Sequence, residues 1–129
     1  ALIEALRDGP ADVISTAHAP HTAGDKAKGA PGFTGSETAF AVCNTVLVKQ
    51  ENFSLNKLSE LMSARPAEIL GLKKGLLQAE YDADLVLVDE NEKWLVNAAD
   101  FSSKGKASPF DNTMLTGKVK ALFVAGQKI

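Results

Sequence analysis

Two histidines three residues apart, His18 and His21, stand in Ser15-Thr16-Ala17-His18-Ala19-Pro20-His21-Thr22, directly after a short apolar run. An imidazole can ligate a metal, move a proton or donate a hydrogen bond to an anion. A His-x-x-His pair on a loop is a weak metal signal by itself, because a zinc site takes three or four protein ligands. The plainer reading is that one histidine bonds to backbone while the other is exposed. The single thiol, Cys43, lies in Phe40-Ala41-Val42-Cys43. No basic neighbour is there to lower its pKa, so it is expected to be a small buried hydrophobe, not a nucleophile.

These side chains need elements to position them. Residues Ala1 to Arg7 read as the end of a helix, stopped by Asp8-Gly9-Pro10. Ala11-Asp12-Val13-Ile14-Ser15-Thr16 reads as a short strand of the kind that a parallel sheet covers on both faces. From His18 to Ser36, glycines and prolines accumulate without apolar periodicity, which predicts a long loop of functional type. Ser36 is the expected N-cap of a helix running to about Gln50, with Phe40, Val42, Val46 and Leu47 on its apolar face. Ser54 caps a second helix along which Leu55, Leu58, Leu61 and Met62 recur; Pro66 interrupts or restarts it, and Gly71 ends it. Beyond Gly75 the period changes. Ala83–Asp89, Lys93–Val96 and Lys118–Gly126 read as strands, with a hairpin turn expected at Gly126-Gln127. The helical-to-strand transition between Gly71 and Gly75 is the expected domain border.

Composition narrows the function classes. A chain of 129 residues, 45% of them hydrophobic, can bury one respectable core. Its net charge of −2, with acids and bases interspersed, lacks the basic stripe of a nucleic-acid binder, and stacking aromatics are scarce. Lys73-Lys74 and Lys104-Gly105-Lys106 read as solvated turns. No apolar run approaches the ~18 residues of a membrane span. One cysteine excludes an internal disulfide framework and suits a reducing cytoplasm. The opening Ala1-Leu2-Ile3-Glu4, with no initiator Met, fits a segment of a longer chain.

The order of motifs closely resembles the dihydroorotases of the zinc amidohydrolase superfamily. Ser15–Thr22 is similar to that family's "TDHAPHT", with Ala17 where the family has an aspartate. "GAPGFTGSETAF", "ARPAEILGL", "DADLVLVD" and the tail "SKGKASPFDNTMLTGKVKALFVAGQKI" then follow in the family's order. The second histidine of "HAPH" favours dihydroorotase over its dihydropyrimidinase and allantoinase cousins.

The resemblance implies an α/β fold. Residues 1–72 would be the C-terminal part of a TIM (β/α)₈ barrel, holding its last strand, its helices and an active-site loop over 17–36. Residues 73–129 would be the C-terminal part of a small β-sandwich-like domain. A complete barrel needs roughly 200 residues or more, so the chain would be part of a longer protein. The implied activity is zinc-dependent interconversion of N-carbamoyl-aspartate and dihydroorotate in pyrimidine biosynthesis. In that family the aspartate at the position of Ala17 binds metal and moves the catalytic proton, as general base and then acid. A methyl group does neither. His21 would contact the substrate carboxylate. Gly32 and Phe33 would contact substrate through their backbone, where a missing Cβ permits close approach; the plain alternative is an ordinary flexible loop. The other metal ligands would lie outside this sequence, so zinc is not expected to be held by the segment alone. Implied partners are the small-molecule substrate, further copies in a homo-oligomer, and aspartate transcarbamoylase. Two readings compete: a non-catalytic homologue serving as a structural subunit, and an engineered inactive variant.

Overall fold

The computed structural model describes residues 1–129. Helices precede strands along the chain. Helix α1 spans Leu2–Arg7 and stops at Asp8, whose N–H reaches Glu4 O at 3.1 Å. Ala11–Thr16 is extended chain without a sheet ladder, where a strand was expected. A parallel strand is defined by neighbours on both sides, and residues 1–129 contribute none there. The segment is fixed instead by Ile14 N–H, which donates to Leu61 O at 3.0 Å.

The long loop after it is not structureless. Thr22 caps a short helix α2, Ala23–Ala27, by accepting from Asp25 N. Helix α3, Ala39–Cys43, continues as a π-helical stretch over Asn44–Gln50. Its cap position is Thr38, not Ser36, and no side chain closes it. At the start of the π-helical stretch Thr45 Oγ bonds back to Ala41 O at 2.7 Å, a contact that often bends helices. Ser54 does cap α4, Leu55–Ser59, by accepting from Lys57 N at 3.0 Å. A second π stretch, Glu60–Ala64, leads without a break into α5, Arg65–Ile69, which carries Pro66 in its first turn. Proline has no N–H to donate and its ring crowds the carbonyl four residues back. The wider turn before Pro66 accommodates that, so the helix neither stops nor restarts. Gly71, at φ +66°, ends it as expected.

Strands β1 (Leu85–Leu95), β2 (Met114–Val124) and β3 (Gln127–Lys128) form one antiparallel sheet in the order β1-β2-β3. The two strands expected between Ala83 and Val96 are one strand carrying a bulge. Its register with β2 shifts between Asp89 and Lys93, where Asp89 Oδ1 accepts from Asn91 N and Glu92 N at 2.9 and 3.1 Å. The hairpin turn falls on Ala125-Gly126, one residue earlier than expected. Both have positive φ, 49° and 79°, as a two-residue type I′ turn requires.

Two apolar clusters flank the α3 helix. Leu6, Leu47, Phe53, Leu58 and Leu61 make one, with Phe40 and Val46 packed on it. Ala41, Val96, Ala98, Phe101 and Leu115 make the other, with Val42 and Trp94 against it. The single apolar face expected for this helix is therefore two. Leu61, wholly buried, contributes about 1.5–3 kcal/mol by leaving water. Asn44, also wholly buried, ties helix to sheet: its Nδ2 donates to Glu90 O and Thr116 O at 3.0 and 2.8 Å. Cys43 is half-buried, and burial pushes its thiol pKa up, which suits a packing role. No helix is long and apolar enough to cross a membrane.

Candidate functional site

The hydroxyls that follow Ile14 shape the backbone where the chemistry would sit. Ser15 Oγ accepts from Ala17 N at 3.5 Å and Thr16 Oγ from His18 N at 3.2 Å. Within this turn Ala17 lies at φ +47°. A left-handed alanine costs about 1–2 kcal/mol, whereas Asp and Asn adopt that region more readily because their short polar side chains bond locally. Strained conformations of this kind cluster at active sites and ligand clamps.

His18 answers the question left open by its spacing. Its Nδ1 accepts from Gly35 N at 3.1 Å and from Ser36 N at 3.2 Å. The ring proton therefore sits on Nε2 in the neutral tautomer. With Nδ1 taken up by two amides and Nε2 protonated, His18 is a clamp on the Gly35-Ser36 backbone and offers no lone pair to a metal. His21, half-buried, is held by its main chain. A Cβ placed on Gly105 would lie 2.9 and 3.0 Å from His21 O and N, and 2.8 Å from Pro20 Cβ. Only glycine lets residue 105 pack that closely against the Pro20-His21 backbone.

The Pro31–Gly35 loop folds onto the same place. Ala19 N donates to Phe33 O at 2.9 Å, and Lys26 Nζ donates to Ala30 O and Gly32 O at 2.8 and 2.9 Å. Gly32 adopts φ +102°, and a Cβ there would meet Ala19 O at 2.7 Å. Thr34 is wholly buried and fastened twice to the far end of the chain: its N donates to Ala107 O at 2.8 Å and its Oγ to Gly105 O at 2.5 Å. Glu37 completes the junction, accepting from Ser102 N and Ser103 N at 2.8 and 3.0 Å. Partial burial raises its pKa, but those backbone amides and nearby Lys106 outweigh it and hold the carboxyl below its ordinary value. The amides of Gly32 and Phe33 themselves engage no acceptor within the chain.

All four residues singled out from the sequence thus converge: Ala17 and His21 on one segment, Gly32 and Phe33 on another, bridged through Ala19. The sequence reading missed Lys26, Thr34, Glu37 and Gly105. Only their long-range partners reveal them, and no local spacing signals a bond between residues 34 and 105. A donor set for a metal is another matter. No group of three or more His, Cys, Asp or Glu side chains comes together. Ala17 has no donor and His18 has spent its own, so the residues of this chain do not fit a zinc ion by themselves. The larger cavities lie elsewhere: one of about 720 Å³ beside Leu76, Leu85 and Phe123, one of about 490 Å³ beside Leu58, Met62 and Val88, and one of about 470 Å³ beside Leu6, Val13 and Val46. Their linings are mostly apolar and none includes His18, His21 or the Pro31–Gly35 loop, so the Ala17–Gly35 loops are the better site.

The amidohydrolase family pattern matches residues 1–129. Among curated relatives, a dihydroorotase of Clostridium botulinum is 45% identical over 126 residues, covering 98% of this chain and 32% of that protein. A dihydroorotase of Thermoanaerobacter is 44% identical over 131 residues, with 98% and 30% covered. The chain therefore spans about a third of the length of the curated relatives it matches. Among solved structures, the L-hydantoinase (dihydropyrimidinase) of Arthrobacter aurescens superposes with a TM-score of 0.91 at 34% identity, covering 99% of this chain and 30% of that one. A dihydropyrimidinase from Brevibacillus agri gives 0.92 at 22% identity, over 99% and 30%, a likeness of fold alone.

Proposed function

Because this chain belongs to the amidohydrolase family, we propose that it is the C-terminal segment of a dihydroorotase-like, zinc-dependent cyclic amidohydrolase. The substrate pair would be N-carbamoyl-aspartate and dihydroorotate, and the setting pyrimidine biosynthesis in the cytoplasm. In this reading residues 1–72 carry the last part of a (β/α)₈ barrel and residues 73–129 part of a small β domain. One observation carries the proposal. The His18–His21 segment and the Pro31–Gly35 loop close on each other around a backbone at φ +47° that suits an aspartate. Curated dihydroorotase relatives at 41–45% identity support it.

Each residue then has a role. Ala17 occupies the position of the acid. His21 donates to the carboxylate of the substrate, gaining charge complementarity near an anion. The unpaired amides of Gly32 and Phe33 face ligand oxygens, and Lys26 and Ala19 take the adjoining carbonyls out of competition. Zinc would be held by side chains in the part of such proteins that this chain does not span. Bound there, it would polarise the cyclic amide, and no residue of this chain would ligate it. Homo-oligomerisation and association with aspartate transcarbamoylase belong to the same proposal. The rival, a non-catalytic structural subunit, rests on Ala17 alone. An intact ligand-facing loop weighs against it.

The test is His21→Ala in the full-length protein. Dihydroorotate binding measured by calorimetry is expected to weaken by about 1–3 kcal/mol, the scale of a hydrogen bond to a charged group. Metal content, measured alongside, is expected to stay unchanged. Loss of zinc in this variant would reassign His21 from substrate contact to ligand.

A further inference from the structure

We infer that Lys26 is a positioning residue for the ligand-facing loop, an inference that rests on the reading of Gly32 and Phe33 as substrate contacts. Lys26 lies in the last turn of α2, which is too short to persist without its Thr22 cap. Its half-buried side chain folds back so that Nζ donates to Ala30 O at 2.8 Å and to Gly32 O at 2.9 Å. Neither acceptor is a carboxylate. A lysine serving only as surface charge keeps its rotamer freedom, which a fixed one gives up. This one is spent on two main-chain carbonyls of a single turn.

The geometry explains what the clasp achieves. Lys26 pins the carbonyl of Gly32, and Ala19 N pins the carbonyl of Phe33 at 2.9 Å. Two successive peptide groups, Gly32–Phe33 and Phe33–Thr34, are thereby fixed with their oxygens engaged; the first presents the free amide of Phe33, and the free amide of Gly32 directly precedes it. Gly32 at φ +102° cannot be held there by its own preference, since glycine adopts many other conformations in a free loop. The clasp selects one of them before any ligand arrives, which removes the ordering cost from binding. Lys26 touches no reacting atom; it acts through Gly32.

The experiment uses the full-length protein with Lys26→Met, which keeps the apolar stem, and Lys26→Arg, which restores several donors. Dihydroorotate affinity is measured by calorimetry, with metal content, melting midpoint and amide exchange at Ala19 and Thr34. Lys26→Met is expected to weaken affinity about tenfold, the worth of one charge-assisted hydrogen bond, and to speed exchange at Ala19. Metal content and melting midpoint are expected to stay at parental values, and Lys26→Arg to recover most of the affinity. A lowered melting midpoint with affinity untouched overturns the inference, as does unchanged exchange at Ala19. A parent that binds no dihydroorotate, with exchange still opening in Lys26→Met and closing in Lys26→Arg, leaves the clasp standing and removes the dihydroorotate reading instead.

Discussion

Ala17→Asp in the full-length protein is expected to raise turnover of dihydroorotate by about 10²–10⁴-fold, the usual worth of a positioned general acid–base. The backbone favours the change. Ala17 sits at φ +47°, where an L-residue with only a methyl group is strained and an aspartate is better tolerated. Restoring the acid should therefore cost no stability. The gain is expected mainly in kcat, because His21 and the Gly32-Phe33 amides are placed independently of the side chain at 17. Ala17→Gly is the control: it relieves the same backbone strain, by about 1 kcal/mol, and supplies no acid. Metal content must be measured beside turnover. A metal-loaded Ala17→Asp protein that stays at background turnover removes the acid as the missing part, and the structural-subunit reading takes its place.

Gly32→Val is expected to cost about 2–6 kcal/mol of dihydroorotate binding, the sum of strain at a positive φ and overpacking of comparable size. The observation behind it is geometric. A Cβ on Gly32 would stand 2.7 Å from Ala19 O and 2.8 Å from Ala19 Cβ, so the His18–Pro20 segment or the loop must move. Either movement separates Phe33 O from Ala19 N and turns the free amides out of place. Gly29→Val separates strain from position. Gly29 also has a positive φ, +86°, but nothing lies within 4 Å of its Cβ direction. It is expected to lower stability while leaving affinity nearly intact. Equal losses of affinity in the two variants would mean that the loop is sensitive to strain anywhere, and that Gly32 has no special place beside the ligand.

How far the sequence can be read depends on which interactions are local. The Ser54 cap, the stop at Gly71 and the sheet after Gly75 depend on neighbours a few residues away, and all were legible. The turn at Ala125-Gly126 was misplaced by one residue because alanine gives no sign that it will adopt φ 49°. The π-helical stretches were invisible for a related reason: one extra residue in a turn, as before Pro66, leaves the apolar spacing looking α-helical. Ala11–Thr16 reads as a strand because its side chains suit one, yet a strand exists only where a neighbour completes the ladder. Of the site, the residues named from their resemblance do converge. Their supports, Lys26 on Gly32, Thr34 on Gly105 and Glu37 on Ser102, join positions up to 71 residues apart, and no local pattern encodes such pairings.

That last separation also sets an order in time. Thr34 is buried only once Gly105 and Ala107 reach it, and Gly105 lies 71 residues beyond Thr34. At a synthesis rate of about 5–20 residues per second, the ribosome makes that stretch in roughly 4–14 s. Throughout that interval the nascent Pro31–Gly35 loop lacks the two bonds that Gly105 and Ala107 give Thr34. The loop that would read the ligand lies in the first third of this chain, yet it is finished only when the Ser102–Ala107 segment has been translated.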